Sequence, residues 1–247
     1  MAVDVSTTTT TLSANDKRIL DALFDPETLP SSVARSKDAA QIDSSLPSLP
    51  TISSHQLSTL ETQQTEIIRQ VSSTSSPATL ETALEELDST IATWPTYPSA
   101  YVNRAMLRRL RIEADMTSSS TEQQQHIFSV ARSEDIEALF TDLGCAIQHA
   151  LPSTSPQGPV SPYQARILRT AYSHRAFLYL KAAETETGLG GQSKTDLEEL
   201  ASKDFAAAAR YGDEVAREMS VRTNPYAKMC GAIVRNALRE EREMEGC

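Results

Sequence analysis

The chain has little of what several large classes of protein require. Aromatic residues make up 5% and hydrophobic residues 39% of its 247 positions, so we expect part of the chain to stay outside a packed core. No apolar run approaches the roughly 20 residues that span a bilayer. The first residues have neither the basic start nor the apolar stretch of a secretion signal. These absences favour a cytoplasmic protein that does not enter a membrane.

Basic charge and cysteine are also scarce. Lys and Arg total 23 against 33 Asp and Glu, a formal net charge of −10, which argues against nucleic-acid binding because phosphates require a basic face. The 3 cysteines are widely separated, so we expect reduced thiols and no metal site. The glycines at 188–191 follow a predicted helix instead of a strand, so they do not form a phosphate loop. We expect no cofactor.

One short motif occurs twice. The pattern Ala-Tyr-x-x-Arg-Ala-x-Leu stands at Ala100–Leu107 and again at Ala171–Leu178. In a helix, an aromatic residue followed four positions later by a small one suits close approach to a neighbouring helix. Recurrence of such a motif is typical of stacked helix pairs, and arrays of this kind bind other proteins.

Composition and periodicity divide the chain into five segments. Residues 1–12 are a Thr-rich tail without periodicity, and 13–25 predict a short helix with an apolar stripe that ends at an Asp-Pro pair. Residues 26–56 are rich in Ser and Pro, which predicts a flexible linker. Residues 57–212 carry the helix-pair patterns, and 213–247 predict C-terminal capping helices.

The helical segments predict an all-α fold. They group into three pairs, which we interpret as tetratricopeptide-like repeats forming a right-handed α-α superhelix with a C-terminal capping helix. The 71 residues from Tyr101 to Tyr172 exceed the repeat length of about 34. Polar insertions near 117–125 and 152–159 account for the excess, and insertions at turns leave stacked helices intact. We expect the final helix to direct its apolar stripe inward, namely Tyr226, Met229, Cys230, Ile233 and Ala237.

Several segments, in this order, resemble the tetratricopeptide repeat protein 36 family. The most specific are the Phe24-Asp25-Pro26 turn and Asn224-Pro225-Tyr226-Ala227, and the motif at 100–105 lies between them. The resemblance implies a non-enzymatic adaptor of three repeats, similar to members that associate with Hsp70-type chaperones and are linked to tyrosine metabolism. The other matching residues are Asn15, Asp16, Leu20, Ala22, Leu23, Thr82, Ala83, Leu84, Glu85, Asp204, Phe205, Ala208, Ala209, Arg210, Gly212 and Cys230.

The first helix of each pair is expected to line the inner wall of the array, where its polar residues contact a bound peptide. Because most of these residues are cationic, the predicted ligand is an acidic peptide. The alternative is that the arginines are ordinary helix residues paired with nearby acids. The predicted partner-binding residues are Asn103, Arg104, Arg108, Arg111, Arg169, His174 and Arg175.

Other hypotheses remain open from the sequence. The chain is either an adaptor, a regulatory subunit of an enzyme of tyrosine breakdown, or a self-inhibited array whose 14–25 helix fills its own groove. Cys145 and His149 are four positions apart on one predicted helix, the spacing of a thiol and base or of half a metal site. No further ligand completes that site, so packing is the simpler interpretation.

Overall fold

The structure is a computed structural model that describes residues 42–72, 75–118, 127–152, 155, 158–185 and 189–245. Regular structure within these residues is helical, which confirms the all-α class for this part of the chain. Besides the helices it contains an isolated parallel bridge between Ile42 and Val160. The predicted tail at 1–12 and helix at 13–25 lie outside the described residues.

The helices follow the predicted order along the chain. Their bounds are α1 Ser54–Arg69, α2 Pro77–Thr93, α3 Pro98–Ser118, the single turn α4 Ile127–Val130, α5 Ser133–Ala150, α6 Pro162–Ala183, α7 Lys194–Arg210, α8 Glu214–Thr223 and α9 Pro225–Glu245.

Capping residues fix where the helices begin. The Ser53 side chain accepts a hydrogen bond from the Gln56 amide while the Gln56 side chain accepts from Ser53. This capping box starts α1 three residues before the predicted Leu57, because each cap contributes about 1 kcal/mol at a helix start. Pro77 occupies the first position of α2 as predicted. Ser161 forms a second capping box at the start of α6.

Successive long helices pack on one another in chain order from α1 to α8, and α3 also contacts α1 and α6. The alanines of the repeated motif are fully buried between the helices, since Ala100, Ala105, Ala171 and Ala176 are all 0% exposed. This confirms that the small residues of the motif are packing positions. The largest core cluster lies among α3, α5 and α6.

The segment before α1 differs from the flexible linker predicted for 26–56. Leu49 and Ile52 are 2% and 5% exposed and pack with Tyr97. The Ser161 hydroxyl donates to the Ser48 carbonyl at 2.9 Å, and Ile42 pairs with the strand-like Val160. We call residues 42–53 the strap. Burial of two apolar side chains holds this segment against the helices, although it is rich in Ser and Pro.

The chain divides into two compact units, Ser36–Pro225 and a second that combines Met1–Arg35 with Tyr226–Cys247. In the second unit, α9 carries the apolar stripe that the sequence predicts, but its residues are exposed: Tyr226 is 62%, Met229 55% and Ile233 60% exposed. Cys230 and Ala237 are also exposed. The expectation that this stripe is directed inward stays a prediction, because periodicity identifies an apolar face without showing what covers it.

Candidate functional site

A groove of about 400 Å³ lies where the helices α1, α3 and α6 meet. These are the first helices of the three pairs, which the sequence predicts to line a shared inner wall. Its volume falls in the range typical of ligand sites. The groove is lined by Glu61, Gln64, Thr65, Ile68, Arg69, Tyr97, Ser99, Val102, Asn103, Met106, Arg166, Ile167 and Thr170.

Tyr97 and Ser99 bring hydroxyl groups to the groove. The hydroxyls of Ser99 and Tyr163 are hydrogen-bonded at 2.7 Å. Tyr97 is 0% exposed, and its hydroxyl makes no hydrogen bond of ordinary geometry with any described residue. Burial raises the pKa of both Tyr97 and Tyr163. Both phenols therefore stay protonated at neutral pH, and the Tyr97 hydroxyl lies beside those of Tyr163 and Ser99 without the geometry of an ordinary hydrogen bond.

Two amide side chains that line the groove are hydrogen-bonded to each other. The Asn103 Nδ2 donates to Gln64 Oε1 at 2.8 Å, which joins α3 to α1. Gln64 is 4% exposed, and its Nε2 has no partner among the described residues. A buried donor left without an acceptor costs about 1 to 3 kcal/mol. Of the predicted partner-binding residues, Asn103 is the one that lines this groove.

The groove walls combine apolar side chains with one ion pair. Arg166 Nη2 lies 2.8 Å from Glu61 Oε1, and its guanidinium lies over the Tyr163 ring at 5.0 Å from the centroid. Arg69 also lines the groove. Met106 is 45% exposed and supplies the most accessible apolar surface of the groove. The surface is thus mostly neutral, with a single net positive charge.

The predicted cations of α3 are engaged elsewhere. Arg104 donates from Nε and Nη2 to the two oxygens of Asp142 at 3.0 and 2.5 Å, and its Nη1 reaches Asp88 at 2.6 Å. Arg108 Nε donates to Asp142 at 3.0 Å. Asp142 lies on α5 and is 2% exposed, so this cluster joins α2, α3 and α5. These arginines do not line the groove.

Arg175 on α6 repeats the arrangement. It donates to both oxygens of Asp204 on α7 at 2.6 and 2.9 Å. Its guanidinium lies 5.6 Å from the Tyr172 ring centroid, as that of Arg104 lies 5.5 Å from Tyr101. Each copy of the motif therefore forms the same set of contacts, an arginine placed between its own tyrosine and an aspartate of the next long helix. We call these two sets the clasps.

The remaining predicted residues are dispersed. Arg111 pairs with Asp135 at 2.9 Å and with Glu81 at 3.4 Å, while Arg169 is exposed. Both ring nitrogens of His174 are buried and lack a hydrogen-bond partner among the described residues. Burial and, to a smaller extent, the charge of Arg109 lower its pKa to about 4. His174 is therefore neutral at pH 7 and is not a cation of the groove. The ion pairs of Arg104, Arg108, Arg111 and Arg175 are those expected if the arginines pair with nearby acids. The partner-binding role of these residues stays a prediction.

Cys145 and His149 have different surroundings on α5. Cys145 is half-buried and packs on the main core cluster, whereas the His149 ring lies 5.5 Å from the Tyr101 ring. Burial lowers the pKa of His149. Among the described residues, no group of three or more His, Cys, Asp or Glu is placed to hold a metal ion. Across the same residues, no helix is both long and apolar enough to cross a bilayer.

The chain is similar to a curated fungal protein over nearly its whole length. It is 43% identical over 249 residues to the L-tyrosine degradation gene cluster protein hmgX of Aspergillus fumigatus, and the match covers 94% of each chain. The chain belongs to this family. No family model matches the chain. No solved structure matches it either.

The sequence did not predict a binding role for most of the residues that line the groove of this chain. Gln64, Tyr97 and Met106 stand in no motif that signals binding. The partners of the arginines did leave a signal, since Asp142 precedes Leu143 and Ala146 as Asp204 precedes Phe205 and Ala208. That recurring Asp-apolar-x-x-Ala pattern predicts an acid at the same face of the second helix in each pair.

Proposed function

We propose that this chain is a non-enzymatic adaptor of the tetratricopeptide repeat type that holds a segment of a partner protein in the groove of α1, α3 and α6. One observation carries the proposal. The groove contains two deeply buried polar atoms without partners, Gln64 Nε2 and the Tyr97 hydroxyl. Buried groups of this kind are destabilising in the free protein and favour a site that is completed by a ligand.

The packing order supports the repeat interpretation. The first helices of the three pairs share one groove, while the second helices α2, α5 and α7 separate them in sequence. A right-handed α-α superhelix brings first helices together in this way. Likeness to the tetratricopeptide repeat protein 36 family adds the expectation of association with an Hsp70-type chaperone. We place this adaptor in the cytoplasm and assign it no cofactor, nucleic acid or catalysis.

The proposed class of client follows from the name of the relative. Because the similar Aspergillus fumigatus protein is named for an L-tyrosine degradation gene cluster, we propose that this chain serves tyrosine metabolism. In the adaptor hypothesis it brings a chaperone to an enzyme of tyrosine breakdown. In the alternative hypothesis it is a regulatory or stabilising subunit that binds such an enzyme directly, without a chaperone.

A reconstitution separates these hypotheses. Purified enzymes of L-tyrosine degradation are held at a denaturing temperature, and the half-life of each activity is measured with this chain, with an Hsp70-type chaperone, or with both. The adaptor hypothesis predicts that protection requires both proteins. Protection by this chain alone favours the stabilising subunit, and no protection of any enzyme contradicts both.

A matched pair of variants locates the surface in the same assay. Met106→Glu places a charge on the apolar wall of the groove, where Met106 is 45% exposed. Val215→Glu places the same charge on α8, where Val215 is 71% exposed and outside the groove. We expect Met106→Glu to abolish protection and Val215→Glu to retain it. Equal protection by the two variants would move the binding surface away from the groove.

A further inference from the structure

The ligand chemistry of the groove differs from the acidic peptide that the arginines predict. Arg104, Arg108 and Arg175 are held by Asp142 and Asp204 in the clasps and do not line the groove. Inside it, the Arg166 charge is balanced by Glu61 at 2.8 Å. A run of carboxylates would therefore meet one uncompensated cation, Arg69, and one resident carboxylate.

The unsatisfied groups of the groove are hydrogen-bond donors. Gln64 already uses its Oε1 to accept from Asn103 at 2.8 Å, so the atom left without a partner is the NH₂ group. The Tyr97 hydroxyl keeps its proton, because burial raises its pKa. Main-chain carbonyl oxygens of an extended segment are neutral acceptors that recur along a peptide, and they satisfy such donors without the desolvation cost of a carboxylate.

Apolar side chains supply the rest of the surface. Ile68, Val102, Met106 and Ile167 line the groove beside the donors. A methionine wall adapts to different side chains because it is unbranched and flexible. Both donor atoms are shielded from water in the free protein, so a ligand that bonds to them has to displace the side chains that cover them.

We infer that the groove takes an extended, largely uncharged polypeptide segment, held by its main-chain carbonyls on Gln64 and Tyr97 and by one large apolar side chain on the Met106 wall. This inference rests on the proposed function and narrows it. Acidic residues of the ligand contribute little, beyond a single contact at Arg69. The specificity of the groove for the sequence of its ligand is then determined by the large apolar side chain of the ligand.

The test begins with a library of random decapeptides displayed on phage and selected on the full chain. Selected peptides are synthesised with a fluorescein label, and their Kd is measured by fluorescence polarisation beside a decapeptide of Asp and Glu. We expect selected peptides to share one large apolar residue without enrichment in acids. We expect the acidic decapeptide to bind more weakly than they do.

Two near-isosteric variants address the donors. Tyr97→Phe removes a hydroxyl that has no partner in the free protein, so its thermal midpoint should stay the same or rise. Gln64→Glu keeps an acceptor for Asn103 and removes the unused donor. Each should weaken the selected peptides about 2- to 10-fold, the range expected for one net hydrogen bond. Tyr179→Phe, on α6 but outside the groove, is the matched control and should leave Kd unchanged.

The outcomes separate the two levels of the proposal. Acid-rich selected peptides that depend on Arg69 or Arg166 overturn this inference, and the groove as a protein-binding site survives. Selected peptides unaffected by Tyr97→Phe, Gln64→Glu and Met106→Glu overturn both, as does a library that yields no binder. Neutral peptides weakened by the two donor variants and unaffected by Tyr179→Phe support both.

Discussion

Both copies of the repeated motif contain an arginine at the same motif position, and the two copies carry different residues immediately before it. Arg104 and Arg175 form clasps of matching geometry, each over the tyrosine three positions earlier. Before them stand Asn103, which reaches Gln64 in the groove, and His174, whose ring nitrogens are buried without partners. The repeated arginine joins helices in both copies, whereas the varied position lines the groove in the first copy, at Asn103, and does not line it in the second, at His174.

The clasps also differ in how many acids they hold. Arg104 contacts both Asp142 and Asp88, and Asp142 has a second cation in Arg108. Within the described part of the chain, Asp204 forms an ion pair with Arg175. The first clasp is therefore a network and the second is a pair, so they should respond differently to loss of the arginine.

The largest expected effect comes from breaking the second clasp. Arg175→Ala leaves Asp204, which is 7% exposed, as an uncompensated buried charge, and this should cost about 3 to 5 kcal/mol of the free energy of unfolding. Arg104→Ala should cost less, about 1 to 3 kcal/mol, because Arg108 still neutralises Asp142. Urea unfolding of the two variants measures both values.

A double variant serves as the control for the second clasp. Arg175→Ala with Asp204→Ala removes both charges, so most of the lost stability should return. If Arg104→Ala proves as destabilising as Arg175→Ala, the distinction between network and pair is wrong. Because these variants are expected to affect folding, they are unsuited to binding measurements on the groove.

An intermediate effect tests whether the two copies pack equally tightly. Ala105 and Ala176 are both 0% exposed, so Ala105→Leu and Ala176→Leu should each cost about 1 to 3 kcal/mol through overpacking. Met106→Leu is the control, because Met106 is partly exposed and the change conserves volume. Thermal unfolding measures the stability of all three variants. An unchanged stability for either alanine variant would show that the core around that copy of the motif accommodates the larger side chain.

The smallest effect concerns the varied position and depends on pH. The folded-state pKa of His174 is about 4, against 6.5 for the unconstrained side chain. The unfolded chain therefore binds this proton first as pH falls, so the stability contributed by His174 is present above pH 6.5 and is lost between pH 6.5 and 4. Between pH 7 and 5 the loss should be about 1 to 2 kcal/mol.

A variant that gives the second copy of the motif the asparagine of the first copy tests the role of His174 directly. In His174→Asn, urea unfolding should show a smaller loss of stability between pH 7 and 5 than in the wild type. His149, whose pKa is also lowered by burial, remains in both proteins and cancels in the difference. An unchanged pH dependence would mean that His174 is not the group responsible.

Local signals in the sequence predicted the helices well. Pro77, Pro98 and the Asn224-Pro225 pair begin helices as expected, because caps and prolines act within one turn. The buried alanines of the motif were predictable for the same reason. The relation of side chains to a neighbouring helix is a longer-range property, so the sequence placed Arg104 on a helix face without showing that Asp142 faces it.

The groove and the exposed stripe show the same limit. Gln64 and Tyr97 become functional candidates only once α1, α3 and α6 are brought together, and no periodic pattern marks them. The α9 stripe was found as a pattern, yet Met229 and Ile233 are exposed. Leu49 and Ile52 were overlooked because two apolar residues in a Ser/Pro-rich segment form no helical or strand period.

The strap makes the start of the repeats a poor place to shorten this protein. Leu49 and Ile52 pack with Tyr97 in a cluster that also contains Leu57 and Leu60. A fragment beginning at the first repeat would uncover that apolar surface and lose the backing of a residue that lines the groove. Failure of such a fragment to bind would thus report a missing support, even with every groove residue intact.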